Sequence, residues 1–118
     1  MQLELAALPP LERYKLLIGL VIPRPIAWIS TRSANGVVNC APFSFFNVFS
    51  EDPPLCVIGI NPRSDGTLKH TLKNIRRTGE FVVNLVDEAT ANAMHISSYE
   101  FTEEESEFEK TGLTPVPA

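Results

Sequence analysis

Ile26-Ala27-Trp28-Ile29-Ser30-Thr31, then Asn35-Gly36, then Val37–Phe49 (VVNCAPFSFFNVF) is the stretch on which the fold class turns. The first run is rich in β-branched and aromatic residues and reads as a strand. Asn35-Gly36 supplies the two positive-φ residues of a tight hairpin turn. Val37–Phe49 reads as a long second strand interrupted at Pro42, which cannot donate to a ladder and so marks an edge, a bulge or a bend. A hairpin this early, with no helix between its strands, argues for antiparallel pairing and against the regular alternation of a Rossmann sheet.

Working outward, Pro23-Arg24-Pro25 stiffens the approach to the first strand. Before it, Leu11–Leu17 predicts a short helical turn that ends ahead of Gly19. After the hairpin, Asp52-Pro53-Pro54 turns the chain, and Leu55–Ile60 (LCVIGI) reads as a strand buried on both faces. Asn61–Gly66 (NPRSDG) is a turn cluster. Leu68, Leu72 and Ile75 then form the apolar stripe of an amphipathic helix, with Thr67 as N-cap and Thr78-Gly79 as the stop. Phe81–Val86 reads as a fourth strand. Asp87 caps a helix running to about Ile96, and a short acidic helix is expected near Ser106–Lys110. The pattern predicts a mainly antiparallel barrel with helical insertions.

The 118 residues fit one domain, 1–118, and 44% hydrophobic content excludes intrinsic disorder. No run of about 18 apolar residues predicts a membrane span, and Met1–Pro10 lacks the pattern of a signal peptide. A cytoplasmic protein is the expectation. The net charge of −4 is unevenly spread: Tyr99–Lys110 holds six of the fourteen acids and reads as a solvated segment. Arg63–Gly79 holds five bases against one acid, a local +4 that suits either a solvated helix face or a small-anion site. That segment lies in an acidic protein without aromatic residues among its bases, so no nucleic-acid partner is expected. Cys40 and Cys56 sit in apolar runs and read as buried small hydrophobes. With His70 and His95 isolated, no metal site is expected.

Two segments suit a phosphorylated ring ligand. In Asn39–Asn47 (NCAPFSFFN), polar Ser44 and Asn47 stand among three phenylalanines. Such a mixture can meet an aromatic ring by its faces and its polar rim, or can be an ordinary half-buried strand. In Arg63–Thr71 (RSDGTLKHT), a glycine turn, a helix start, two cations and three hydroxyls offer free N–H groups to a phosphate; a plainly capped helix is the other reading. No triad, phosphate-loop or zinc-protease motif is present, so a borrowed cofactor would carry any catalysis.

The blocks RYKLLIGLVIPRPIAWIST, NCAPFSFFNVFSEDPP, LKHTLKNIRRTGEFVVNLV and SEFEKTGLT resemble, in order, the flavin reductase-like family of FMN-binding split barrels. The resemblance covers nearly all of the chain from Leu11. It implies an antiparallel split β-barrel that pairs as a homodimer and holds FMN near the interface, with NADH or NADPH as co-substrate passing hydride to flavin. It places Asn39, Ala41, Pro42, Phe43, Ser44, Phe45, Phe46 and Asn47 along the flavin, and Arg63, Ser64, Lys69 and Thr71 at its phosphate. Pro23-Arg24-Pro25 would help to frame the pocket. Family members are NAD(P)H:flavin oxidoreductases or electron carriers. A non-enzymatic FMN-binding electron-transfer protein and a degenerate barrel for another ligand, haem included, are therefore the alternatives. Two departures stand out. His70 replaces the aspartate common between the family's Lys and Thr, and the chain stops after Gly112-Leu113-Thr114, where the family domain continues with further strands.

Overall fold

A computed structural model describes residues 2–117. After a 3-10 turn at Leu5–Ala7, the chain forms α1 (Pro10–Leu20), β1 (Ala27–Arg32), β2 (Val38–Phe43), β3 (Phe46–Glu51), β4 (Pro54–Ile58), α2 (His70–Thr78), β5 (Val82–Asn84), α3 (Ala91–Ile96) and α4 (Glu107–Thr111). All pairing is antiparallel. One sheet has the order β2-β1-β5 and the other is the β3-β4 pair. The two sheets do not close into a barrel among the described residues, and α-helices hold somewhat more residues than strands.

The hairpin forms where Asn35-Gly36 predicts it, by different geometry. Of the pair only Gly36 has positive φ, at +83°, and no non-glycine among the described residues does. Gly36 N donates to Ser33 O and Ser33 N donates to Val37 O, which makes a three-residue loop closed by a left-handed glycine. Pro42 does not interrupt β2. It pairs opposite Trp28 on an edge strand, where its missing N–H costs no ladder bond. The break comes at Ser44-Phe45 instead, between β2 in one sheet and β3 in the other. Gly59 N donates to Phe45 O at 2.7 Å, and a Cβ on Gly59 would stand 3.0 Å from that of Phe45. This corner therefore depends on glycine for its close backbone approach.

The core is small: Ala27, Ile29 and Phe43, with Ala41, Phe46, Ile58, Ile60 and Val83 packed against them. Trp28 is also buried, and its indole Nε1 donates to Ser97 Oγ at 2.9 Å, tying β1 to the end of α3. The expectation that Leu55–Ile60 is buried on both faces fails. Leu55 and Val57 are about half exposed, Val48 and Phe49 beside them more so, and Cys56 is exposed whereas Cys40 is buried. A strand is buried on two faces only where layers cover both, and the β3-β4 pair lacks such cover within the described residues. The helix α1 likewise buries no residue. The Cα radius of gyration, 15.7 Å, exceeds the ~13.5 Å of a compact domain of this length, as these projecting elements require.

Local helix signals are shifted rather than absent. The first helix runs through Gly19 to Leu20, past the expected stop. Thr67 does not cap α2: its N–H and hydroxyl both turn back to Asp65 Oδ1, and the helix starts three residues later with Lys69 at the cap position. Gly79, at φ +73°, ends it as expected. Asp87 bonds Thr90 N and Oγ1 in a turn, so α3 begins at Ala91. The strand expected at Phe81–Val86 shortens to Val82–Asn84, paired with β1.

Candidate functional site

The start of α2, the strand β2 and the segment Ser97–Phe101 enclose a cleft of about 50 Å³. Ala41, Pro42, Phe43, Arg63, Lys69 and Thr71 all line it, so seven of the twelve expected residues, with Asn39, come together here. Arg63 is steered into place by its Nη2, which donates to Phe101 O at 3.0 Å, leaving its other donors free for a ligand. Lys69 Nζ stands 5.6 Å from the Phe43 ring centroid, a cation held over an aromatic face. No side chain caps α2, so its first N–H groups lack an internal partner and the positive end of its dipole faces the same cleft. Two cations and an uncapped helix start can take an anion such as a phosphate. The volume falls well below the roughly 300–1,000 Å³ of a pocket that encloses a small molecule, so only part of such a ligand fits inside.

Asn39 and Thr71 do something sequence reasoning missed. Thr71 is 1% exposed, and its hydroxyl donates to Asn39 Oδ1 at 2.9 Å. Thr31 Oγ1 donates to the same oxygen at 3.4 Å and itself accepts from Asn74 Nδ2 at 3.0 Å. Asn39 Nδ2 donates in turn to Glu107 Oε1 at 2.6 Å, while Cys40 N donates to Glu107 Oε2 at 3.0 Å. Donation runs one way, from α2 through β1 and β2 to a single carboxylate on α4. The acidic segment is thus not wholly solvated: Glu107 is 4% exposed. Burial raises its pKa against the hydrogen bonds that lower it, and burial together with the Glu107 charge pushes the Cys40 thiol up to about 12. A polar residue on the inward face of a strand, such as Asn39, was the one signal in the sequence that could have pointed to this network.

The remaining expected residues lie elsewhere. Ser64 is exposed in the turn before α2. Phe46 packs against the core, and Asn47 is exposed, its Oδ1 accepting from Val48 N. Ser44 and Phe45 form the corner between the sheets, beside Arg24 and Tyr14. His70 lines the cleft and lies 3.7 Å from Glu103, which also pairs with Lys73. Burial, then the charge of Arg63, lowers the His70 pKa, so the imidazole adds no permanent charge to the site. A second cleft of about 190 Å³ lies across α2, lined by Asn74, Lys73, Arg77 and Glu103 among others. There Lys73 is already paired with Glu103, which makes it the weaker anion site. No group of three or more metal-ligating side chains occurs among the described residues, and no described helix is long and apolar enough to cross a membrane.

Comparison with known proteins agrees with this geometry. The family model described as "Flavin reductase like domain" matches residues 19–118. An uncharacterized protein of Aquifex aeolicus is 55% identical over 102 residues, covering 86% of this chain and 52% of its own length. The chain spans about half the length of the curated relatives it matches. Nitrilotriacetate monooxygenase component B from Bacillus cereus superposes with a TM-score of 0.91 at 34% identity, over all of this chain and 58% of that one. A candidate flavin reductase with a split barrel domain from Shewanella frigidimarina superposes at 0.79 with 29% identity, over all of this chain and 59% of its own. The antiparallel sheets with their helices are thus the fold of split-barrel flavin reductase neighbours, and the chain belongs to the flavin reductase like domain family.

Proposed function

We propose that this protein binds FMN and works as an NAD(P)H-dependent flavin oxidoreductase. One observation carries the reading: Arg63 and Lys69 converge on the uncapped start of α2, in a cleft floored by Pro42 and Phe43. The donor set fits a phosphate monoester, which accepts several hydrogen bonds and carries negative charge. Arg63, Lys69 and the α2 N–H groups would hold the phosphate. Thr71 acts behind them, because its hydroxyl is committed to Asn39. The ring would lie outside the small cleft, toward the Ser44-Phe45 corner. FMN, when bound, supplies reversible two-electron chemistry, so the protein's own task is to orient ring and nicotinamide. A second copy covering the exposed apolar side chains Val48, Phe49 and Val57 would supply the rest of the pocket, and a cytoplasmic setting would suit soluble nicotinamide.

The test is an absorbance titration with FMN, followed by assays of NADH and NADPH oxidation with free flavin or oxygen as acceptor. Saturable FMN binding with turnover is expected. Colourless protein that stays so after incubation with FMN would refute the reading. Binding without nicotinamide oxidation would leave an electron carrier, the function class of the family's non-enzymatic members.

A further inference from the structure

Arg24 lies in the Pro23-Arg24-Pro25 segment between α1 and β1, and its guanidinium joins three elements. Nη1 donates to Ile18 O at 2.7 Å and to Val21 O at 2.5 Å, two carbonyls at the C-terminal end of α1. Nε donates to Ser44 Oγ at 3.3 Å, at the corner between the sheets. The guanidinium carbon stands 6.0 Å from the Phe45 ring centroid, and the Tyr14 ring of α1 lies 6.2 Å from Phe45. No described carboxylate forms a salt bridge with Arg24. The guanidinium is half-buried, and its positive charge is met by neutral groups only.

The direction of the Ser44 bond matters. A guanidinium has donors and no acceptor, so Ser44 Oγ must accept. Its own O–H then points away from Arg24 and meets no other partner among the described hydrogen bonds. A hydroxyl that accepts from a cation is polarised into a better donor. The corner wall is therefore a donor backed by a positive charge, suited to a ring that gains electron density when reduced.

We propose that Arg24 is a positioning residue: through Ser44 it presents a polarised hydroxyl to an acceptor on the bound flavin ring and makes that ring easier to reduce. The inference rests on the FMN reading above and adds a redox role that the phosphate cleft does not require. It also explains why the segment carries arginine, since a structural strut for α1 alone would need neither the Ser44 bond nor a lasting charge at the corner.

The test measures FMN affinity and the midpoint potential of the bound flavin in wild type, Arg24→Gln, Arg24→Lys and Ser44→Ala. Arg24→Gln and Ser44→Ala should each bind FMN about tenfold more weakly, the scale of one charge-assisted hydrogen bond, and each should shift the potential to more negative values. Arg24→Lys should recover more of the potential than Arg24→Gln, because it restores the charge. Loss of affinity in Arg24→Gln with an unchanged potential would make Arg24 a strut and overturn the proposal. Should Arg24→Gln not fold, Ser44→Ala decides alone, and an unchanged potential there overturns it equally. Failure of the wild type to bind FMN would instead refute the functional reading, a result distinct from all of these.

Discussion

Replacing Glu107 with Gln tests the polar network at its end point. The carboxylate accepts from Asn39 Nδ2 through one oxygen and from Cys40 N through the other. Turning the Asn39 amide around would take from the Thr71 and Thr31 hydroxyls the acceptor they share, so the network holds Nδ2 toward Glu107. Both groups facing Glu107 are thus obligatory donors, and Gln offers one acceptor and one NH₂. Whichever way the new amide is set, one buried donor loses its partner and meets another donor. Leaving such a group unsatisfied costs about 1–3 kcal/mol. Against this, Gln removes a buried charge that has no cation beside it, a relief that can also reach several kcal/mol. The geometry favours the first effect, since both oxygens have donors and no buried side-chain polar atom among the described residues lacks a partner.

The assay is urea unfolding followed by the fluorescence of Trp28, the single tryptophan. With a slope of about 1–2 kcal/mol/M for a chain of this size, the midpoint should fall by roughly 1 M at pH 8. The raised Glu107 pKa also fixes a sign. The folded state holds this proton more tightly than the unfolded state, so its contribution is greatest in acid and is lost as pH rises through the ordinary glutamate value to the raised one. Glu107→Gln removes that slope. A double variant with Asn39→Ala should cost less than the sum of the single changes, because the orphaned donor is then gone. A Glu107→Gln protein as stable as wild type at pH 8, or more stable, would refute the reasoning.

Three further outcomes are expected. Lys69→Ala should weaken FMN by about tenfold and riboflavin little, since a cation on a phosphate is worth about 1–2 kcal/mol; equal losses in parallel titrations would remove Lys69 from the phosphate site. Ser97→Ala should leave the indole N–H of Trp28 without its buried partner and cost about 1–3 kcal/mol in the same urea assay, whereas Leu85→Ser, at a side chain 86% exposed, should stay within about 0.5 kcal/mol. The lowered His70 pKa means that the folded state resists protonation there. Stability should therefore decline as pH falls from the ordinary histidine value through the lowered one, and His70→Gln should show a smaller decline in pH-dependent melting.

The parts of the fold legible in the sequence were those set by a few neighbouring residues. Gly36 and Gly79 mark a turn and a helix end, because a left-handed backbone excludes most other residues at those points. Ile26–Thr31 reads as a strand and β1 appears within one residue of it. That Arg63 and Lys69 share one cleft was readable because their charge and the following helix start lie in one short segment. The Thr67 cap was not readable correctly: Asp65, two residues before it, competes for the same hydroxyl and wins.

Taken alone, then, the sequence determined the hairpin, the antiparallel pairing, the end of α2 and the basic segment that lines the cleft. Each follows from backbone sterics or charge within a few residues. Only the tertiary structure decided that the chain changes sheets at Ser44-Phe45, that Val48 and Val57 stay exposed, and that Arg24 reaches Ser44 across twenty residues. Most of all, it decided that one glutamate of an acidic run is buried. Whether a carboxylate is solvated depends on the donors that meet it, and those of Glu107 come from Asn39 and Cys40, 68 and 67 residues away. Local composition cannot encode a partner that far along the chain, and packing can.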